Sequence, residues 1–274
     1  MQHVIITRFN CRFGDLPKHL AIRTPTSPEW LSERFDLFER YCAPTLLAQT
    51  CQRFTWFVYF DQETPTAFLE RAAAAMGHLP HMRVKLCESF TIETLKADIR
   101  QEIPSDCAQL VTTRLDNDDG LSADFVERLQ CEVKSGVQEA LNFPVGLVLG
   151  RNRLYRSRQP SNAFLSVSEP YSENVLTVHC ASHNEMASRV AVRNIGQRRP
   201  GWLQVIHGGN VSNKLRGHRI PFRDGVQGFE SLDCVSSQLL NKESAVGIAM
   251  ENASFSLLWA LRDQAARTYR RFRR

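Results

Sequence analysis

The sequence predicts one α/β domain built on a mixed sheet flanked by helices, with a C-terminal amphipathic helix. Apolar, β-branched segments alternate with amphipathic ones from residue 3 to residue 134, which is typical of parallel strands joined by right-handed helical crossovers. Polar residues stand where several of these strands end, and ligands of such sheets bind beyond the carboxyl ends of the strands. After residue 140 the pattern changes to short strands and turns, which indicates an antiparallel part.

In the first half, each predicted helix has a recognisable start. Ser27 followed by Pro28 is a typical N-cap and first helical residue, and apolar side chains then recur on one face. The predicted strands are His3–Phe9, Phe54–Phe60, Arg83–Cys87 and Leu110–Leu115. The predicted helices are Pro28–Cys42, Pro44–Thr50, Thr64–Ala75, Thr91–Arg100 and Ser122–Lys134, the last with Ser122 as its cap.

In the second half, short apolar runs between turns predict strands, and two longer amphipathic runs predict helices. The predicted strands are Val145–Leu149, Leu154–Arg156, Ala163–Val167, Val175–His179 and Leu203–Ile206. The predicted helices are Gln227–Leu240 and one that starts near Ala253. We divide the chain into a domain over residues 1–245 and a helical basic tail over residues 246–274.

The charge distribution argues against a general polyanion binder. The net charge is +5, and Arg262 to Arg274 alone carry six Arg against one Asp, so the rest of the chain is neutral. We therefore expect no nucleic-acid partner.

The eight cysteines are scattered without a C-x-x-C pair, which predicts reduced thiols in a cytoplasmic protein. We expect neither a signal peptide nor a membrane-spanning segment.

The strongest local signal is an acidic cluster after the fourth predicted strand, where Asp116, Asp118 and Asp119 stand within four positions. Carboxylates this close repel one another unless a cation intervenes, and hard oxygen ligands suit Mg²⁺ or Mn²⁺. The alternative is a solvated Asp/Asn/Gly turn. A calcium-binding loop is rejected, because Gly120 falls one place early and a strand precedes it.

These residues lie in segments that resemble nucleotide-sugar glycosyltransferases of the GT-A fold. More narrowly, the chain is similar to the bacterial family described as "putative rhamnosyltransferases". The matching segments are TRFNCRF (7–13), LFERYCAPTLLAQT (37–50), FTWFVYFD (54–61), TRLDNDDGL (113–121) and WLQVIHGGNVSN (202–213). The resemblance implies a GT-A-like, Rossmann-like domain over residues 1–245 and transfer of a sugar, with rhamnose as a candidate, from a nucleotide diphosphate-sugar.

The resemblance also implies roles for individual residues. The metal, Mn²⁺ or Mg²⁺, is expected on Asp116, Asp118 and His207. The nucleotide-sugar is expected on Arg8, Asn10, Asp61, Arg114, Asp116 and Lys214. Two of these placements keep an alternative from the residues themselves: Asp61 can cap a turn, and His207 can be a hydrogen-bonded histidine. A metal role for His179 and His183, spaced i, i+4, is disfavoured because that segment is predicted as a strand.

An inverting transferase needs a carboxylate base near the acceptor hydroxyl. Glu169 follows an apolar strand and is the first candidate for this catalytic role, and Asp224 is the second. Both residue types also occupy ordinary turns, and a retaining enzyme can work without such a base, so the stereochemistry stays open.

The tail combines aromatic residues at helical spacing with five arginines at its end. Such a helix suits an anionic membrane face, and docking on the domain is the alternative. We expect a glycan or lipid-linked acceptor and a cytoplasmic protein, peripheral on the inner membrane face.

A non-catalytic sugar-binding or membrane-associated assembly protein with a degenerate site is the rival hypothesis. A nucleotidyltransferase is disfavoured, because the glycine- and basic-rich N-terminal loop of those enzymes is missing.

Overall fold

A computed structural model describes the chain over residues 1–11, 27–77, 79–196, 198–207, 215, 217–232 and 244–254. Its strands are β1 Gln2–Arg8, β2 Thr55–Asp61, β3 Met82–Cys87, β4 Gln109–Arg114, β5 Gly120–Leu121, β6 Glu139–Asn142, β7 Val145–Gly150, β8 Arg153–Arg158, β9 Ser166–Pro170, β10 Val192–Asn194, β11 Trp202–Ile206 and β12 His218–Ile220. Its α-helices are α1 Pro28–Leu37, α2 Ala43–Leu47, α3 Thr66–Ala75, α4 Ile92–Glu102, α5 Phe125–Glu132 and α6 Phe222–Gly225. Residues 245–254 are also helical.

The larger sheet positions the polar strand ends. Within the described residues its order is β10-β6-β9-β4-β1-β2-β3. The four strands β4, β1, β2 and β3 are parallel neighbours, while β9 runs antiparallel to both β4 and β6. The carboxyl ends of the first four strands therefore meet at one edge, as the alternating pattern predicts. The mixed α/β class is confirmed.

The smaller sheet brings the second half of the chain against this edge. Its order over the described residues is β12-β8-β7-β11-β5. A two-residue hairpin joins β7 to β8, and its Arg151 and Asn152 both have positive φ, 52° and 54°, as a turn that follows the strand twist requires. Strand β11 runs parallel to β7 and antiparallel to β5. The short strand β5 follows β4 in sequence, so the chain crosses from one sheet to the other between them.

Apolar side chains on both faces of the larger sheet form the core. Alternation along β1 sends Ile5 to one face and Val4 and Ile6 to the other. Helix α1 covers the first face, and its Phe35 ring lies 4.4 Å from that of Phe9. Helix α4 covers the second face through Leu95 and Ile99. This packing holds the strand ends rigidly for the site described below.

Cap chemistry explains most of the correct helix starts. Ser27 Oγ accepts the Trp30 N–H, and Thr91 Oγ1 accepts the Thr94 N–H. The cap prediction for Ser122 is wrong, because α5 begins at Phe125 and the Ser122 hydroxyl donates to Asp124. A π-helical turn, Phe38–Cys42, joins α1 to α2.

Two predicted elements are wrong for a different reason. Val175–His179 forms turns instead of a strand, and the described residues of the helix predicted over Gln227–Leu240 are turns up to position 232. In the first case the backbone N–H groups of Leu176 and Thr177 bond to a side chain, Glu169, and not to a neighbouring strand. Apolar spacing alone does not reveal such a partner.

The tail lies mostly outside the described residues. A helix over residues 245–254 begins about eight residues before the predicted start near Ala253. It contacts the smaller sheet, where Glu251 accepts bonds from Tyr155, Arg153 and Arg219. The start of the tail is therefore docked on the domain, and its aromatic and arginine-rich part lies outside the described residues. Every helix in the described residues is too short or too polar to cross a bilayer.

A buried histidine in β1 predicts a specific acid sensitivity. His3 is 1% exposed and its Nε2 lies 2.8 Å from Thr113 Oγ1. Burial lowers the pKa of His3 to about 3. Between that pKa and the ordinary value the unfolded chain binds more protons than the fold, so stability falls as pH falls. Acidification from pH 7 to pH 5 is expected to cost about 2 kcal/mol of unfolding free energy through this residue.

Urea unfolding at the two pH values checks this expectation in the wild type and in His3→Gln. The variant keeps a neutral hydrogen-bonding side chain and should lack that part of the acid sensitivity. An equal pH dependence in both proteins would contradict the assignment.

Candidate active site at the carboxyl edge of the sheet

The acidic turn connects the two sheets. It follows β4 and continues into β5, which pairs with β11. Asn117 Nδ2 donates to the Phe9 carbonyl, which ties the turn to the end of β1. Gly120 allows the close approach of α2 and of the π-helical turn before it. A Cβ at this position would lie 2.9 Å from Thr45 Cγ2 and 3.1 Å from the Tyr41 carbonyl. The turn is thus enclosed between the sheets rather than exposed on a convex surface.

The three aspartates have three different partners. Asp119 is 2% exposed, and its Oδ1 accepts the Val205 N–H at 2.8 Å. Burial and the neighbouring carboxylates of Asp118 and Asp116 raise its pKa well above the ordinary value. The role of Asp119 is therefore structural, because its hydrogen bond fixes β11 against the turn, two residues before His207.

Asp118 faces that histidine. Its Oδ2 lies 2.8 Å from His207 Nε2 and accepts a bond from Arg34 Nη1 at 3.1 Å. The same Arg34 nitrogen lies 3.2 Å from His207 Nε2. The Asp118 side chain is 8% exposed, and those of Arg34 and His207 are 20% exposed. The structure thus brings two of the three predicted metal ligands, Asp118 and His207, into direct contact, and places Arg34 beside both.

Asp116 belongs to a second, basic group. Arg114 donates to both of its carboxylate oxygens at 3.0–3.2 Å. Burial opposes ionisation of Asp116, but Arg114 and Arg8 outweigh it and hold its pKa below the ordinary value. Burial and Arg114 lower the pKa of Arg8 to about 10. Asp116 is therefore an ionised carboxylate beside two guanidinium groups.

The ends of β1 and β2 carry a polar network around Asn10. The Asp61 backbone N–H donates to Asn10 Oδ1, and Asn10 Nδ2 donates to Thr64 Oγ1. Asp61 is 2% exposed, and its Oδ1 accepts the Glu63 N–H at 2.9 Å. Asp61 thus caps a turn, and it lies on the same edge as the acidic turn.

Glu169 lies elsewhere. It pairs in register with Leu110, at the start of β4, so the length of that strand separates it from the acidic turn. Its carboxylate accepts the N–H groups of Leu176 and Thr177 and a bond from Gln138. The structure does not bring this candidate base to the other site residues, and its geometry is that of a loop anchor.

Two predicted positions remain, Asp224 and Lys214. The Asp224 side chain is 57% exposed in α6 and pairs with Arg223. Lys214 lies outside the described residues.

The position of Glu169 predicts a change in stability without a change in catalysis. Glu169→Gln is expected to lower the unfolding free energy by about 1–3 kcal/mol, because the buried Thr177 N–H and the partly buried Leu176 N–H lose a charged acceptor. The turnover number should stay within about twofold of the wild type, roughly the scatter of single-site effects. Chemical denaturation and a transfer assay check the two parts, and a loss of turnover of about a hundredfold with unchanged stability would contradict them.

Two further residues, Arg34 and His179, lie at this edge. Arg34 was not predicted as a site residue. It stands one residue before the buried Phe35 in α1, and this position beside the buried face of the helix was a signal for it in the sequence. His179 stands in a turn and not on a helix, with its ring 5.0 Å from Phe90 and its Nε2 buried without a hydrogen-bond partner among the described residues. Burial, Arg8 and Arg114 hold the pKa of His179 well below the ordinary value.

The comparisons with known proteins agree with this geometry. The fold is a mixed α/β sheet that carries an acidic turn and a facing histidine at its carboxyl edge. The chain belongs to the family described as "Putative rhamnosyl transferase", which matches residues 2–219, and it is therefore a glycosyltransferase. A search of curated proteins finds no match.

Solved structures resemble this chain only distantly. Residues 1–349 of S. aureus TarS in complex with UDP-GlcNAc give a TM-score of 0.46 at 11% identity, over 89% of this chain and 68% of that one. The chain covers 37% of a longer S. aureus TarS structure. The inositol-1-phosphate CTP transferase from T. maritima gives 0.36 at 10% identity, over 89% and 98% of the two chains.

Proposed function

We propose that this glycosyltransferase is metal-dependent and moves a sugar, with rhamnose as the candidate, from a nucleotide diphosphate-sugar to a glycan or lipid-linked acceptor. The observation that carries the proposal is the contact of 2.8 Å between Asp118 Oδ2 and His207 Nε2 at the carboxyl edge of the sheet. Family membership supplies the reaction class. The metal, the donor and the acceptor are our inference.

The residues present fit a divalent cation. One carboxylate oxygen and one imidazole nitrogen are a donor pair that Mn²⁺ accepts, and such ions take their other ligands from substrate phosphates and water. Among the described residues no group of three or more His, Cys, Asp or Glu side chains encloses one point, so a diphosphate would have to complete the ligand set. The Arg34 guanidinium contacts both atoms, which supports a site adapted to positive charge.

Each protein group then has its own role when donor and metal are bound. Asp118 and His207 would hold the cation, which would stabilise negative charge on the departing diphosphate. Arg34, displaced from these two side chains, could donate to a phosphate oxygen. Asp119 keeps β11 and hence His207 in place, while Arg114 and Arg8 orient Asp116 toward the donor. Asn10 and Asp61 lie where the nucleotide is expected.

The acceptor part of the proposal depends on the tail. Six arginines among the last thirteen residues favour an anionic membrane surface, where each basic residue contributes about 1 kcal/mol. Sedimentation of the full chain with vesicles of phosphatidylglycerol and phosphatidylcholine tests this part. We expect binding that is lost in about 0.5 M salt, where the Debye length is a few ångströms, and in a variant with the last five arginines changed to glutamine.

Calorimetry with UDP, GDP and dTDP, each with and without Mn²⁺, tests the donor and metal parts. We expect one nucleotide to bind at least about tenfold more tightly with Mn²⁺, and a radiolabelled sugar of that nucleotide to be turned over. Binding and turnover that persist unchanged in EDTA would refute the metal dependence. No binding of any nucleotide diphosphate would refute the proposal and favour a degenerate site.

A further inference from the structure

Two cysteine thiols lie in contact at the same edge of the sheet. The Sγ atoms of Cys11 and Cys87 are 3.4 Å apart. Cys87 is the last residue of β3, and Cys11 lies three residues beyond the end of β1. Strand β2 runs between these two strands, and its last residue, Asp61, is the register partner of Cys87. The thiol pair therefore spans the end of β2 directly at Asp61.

The chain around Cys11 is coupled to the polar network of the site. Its neighbour Asn10 accepts the Asp61 N–H at 3.0 Å and donates to Thr64 at 3.0 Å. The Phe9 N–H donates to the Tyr59 carbonyl at 2.8 Å, so the backbone is held up to residue 9, and Asn10 is held through its side chain. A displacement of Cys11 toward β3 would thus act on Asn10 first and through it on Asp61.

The two thiols differ in reactivity and in access. The hydrogen bond between them lowers the pKa of Cys87, while that hydrogen bond and burial raise the pKa of Cys11. A lowered pKa marks Cys87 as the nucleophile of the pair. Cys87 is 8% exposed and Cys11 is partly exposed, so a small oxidant can reach the pair. By contrast, Cys42 is fully buried in the core.

We propose that Cys11 and Cys87 form a reversible disulfide on exposure to a hydroperoxide, and that this bond weakens nucleotide binding at the adjacent edge. The second clause rests on the proposed function. A disulfide requires the sulfurs to approach from 3.4 Å to about 2 Å. That movement draws Cys11 toward β3 and strains the hydrogen bonds of Asn10 to Asp61 and Thr64.

The chemistry balances with hydrogen peroxide as the hydroperoxide and the only oxidant. The Cys87 thiolate attacks one peroxide oxygen, the O–O bond breaks, and hydroxide leaves, so that Cys87 becomes a sulfenic acid. The Cys11 sulfur then attacks the Cys87 sulfur and the S–O bond breaks, releasing a second hydroxide. The protons of the two thiols convert both hydroxides to water. The two cysteines lose two electrons, which the peroxide gains.

Mass spectrometry and calorimetry test the two clauses separately. The full chain is treated with hydrogen peroxide, freed of it with catalase and desalted, then digested without reductant to search for the Cys11–Cys87 linkage. In parallel, the nucleotide diphosphate that binds the reduced protein most tightly is titrated with Mn²⁺ into reduced, oxidised and dithiothreitol-treated protein. Cys11→Ser and Cys87→Ser remove the pair, and Cys131→Ser, at an exposed cysteine, is the matched control.

We expect the Cys11–Cys87 linkage in the wild type and in Cys131→Ser, with binding weakened about tenfold and restored by dithiothreitol. Cys11→Ser and Cys87→Ser should bind equally before and after treatment. Failure to find the linkage overturns the whole inference, and a linkage without a change in affinity overturns its second clause. If the reduced protein binds no nucleotide, the proposed function fails and the second clause with it, while the linkage result stands by itself.

Discussion

Replacing Asp118 with Asn is expected to reduce sugar transfer by about 10²- to 10³-fold, the typical effect of losing one electrostatic group of an active site. The carboxylate is shared by His207 and Arg34 at 2.8 Å and 3.1 Å. The isosteric amide keeps the shape and removes the charge that would hold a cation. The measurement is steady-state turnover of a radiolabelled nucleotide-sugar at saturating Mn²⁺.

Asp106→Asn is the matched control, because Asp106 is an exposed aspartate in the turn before β4. It should leave turnover unchanged. If Asp118 and His207 act on one cation, the double variant Asp118→Asn/His207→Gln should be little worse than either single variant, since residues that act as a unit are not additive. Full activity of Asp118→Asn with its thermal transition unchanged would contradict the assignment of the site.

Replacing Trp202 with Ala is expected to lower the unfolding free energy by about 3–5 kcal/mol, the usual cost of truncating a large buried aromatic side chain. Trp202 is fully buried, stacks on Phe164 at 4.9 Å, and donates from Nε1 to the Phe143 carbonyl. A Cβ on Gly146 would lie 2.0 Å from the indole, so the ring packs directly on the backbone of β7. Truncation therefore leaves a large cavity against the face of the smaller sheet.

Urea denaturation followed by circular dichroism checks this value. Leu86→Ala is the control, because Leu86 is 53% exposed on β3 and should cost less than about 0.5 kcal/mol. Trp202→Phe separates packing from the hydrogen bond, since it keeps an aromatic ring without the N–H donor. A loss below about 1 kcal/mol in Trp202→Ala would show that the stability of the smaller sheet does not depend on this residue.

Local sequence patterns predicted the first half of the fold well, because there the local and tertiary preferences coincide. The N-caps Ser27 and Thr91 satisfy the first N–H groups of their helices wherever those helices pack. The central strands β1 and β2 contain nearly continuous apolar runs, as burial on both faces requires. In the second half the strands are short, and β6 and β10, of four and three residues, carry too little periodicity to be recognised.

The site residues also divide into those that the sequence indicated and those that only the tertiary structure revealed. The resemblance placed Asp116, Asp118 and His207 on one metal. The structure brings Asp118 and His207 into contact, while Asp116 pairs with Arg114. Arg34 was missed, because its role arises from the packing of α1 and not from a motif. Glu169 was predicted as the catalytic base because it is a carboxylate that follows an apolar strand. Strand β9 is antiparallel to β4, however, so its end lies at the opposite edge of the sheet.

The sequence by itself determined the class of the fold, the position of the acidic turn after a buried strand, and the charge imbalance of the tail. These follow from hydrophobic periodicity, turn chemistry and composition, which are local properties of the chain. Only the tertiary structure decided which aspartate faces His207, that Arg34 contacts both of them, and that Cys11 meets Cys87. Those contacts join residues 76 to 173 positions apart in the chain, and only the packing of both sheets sets such distances.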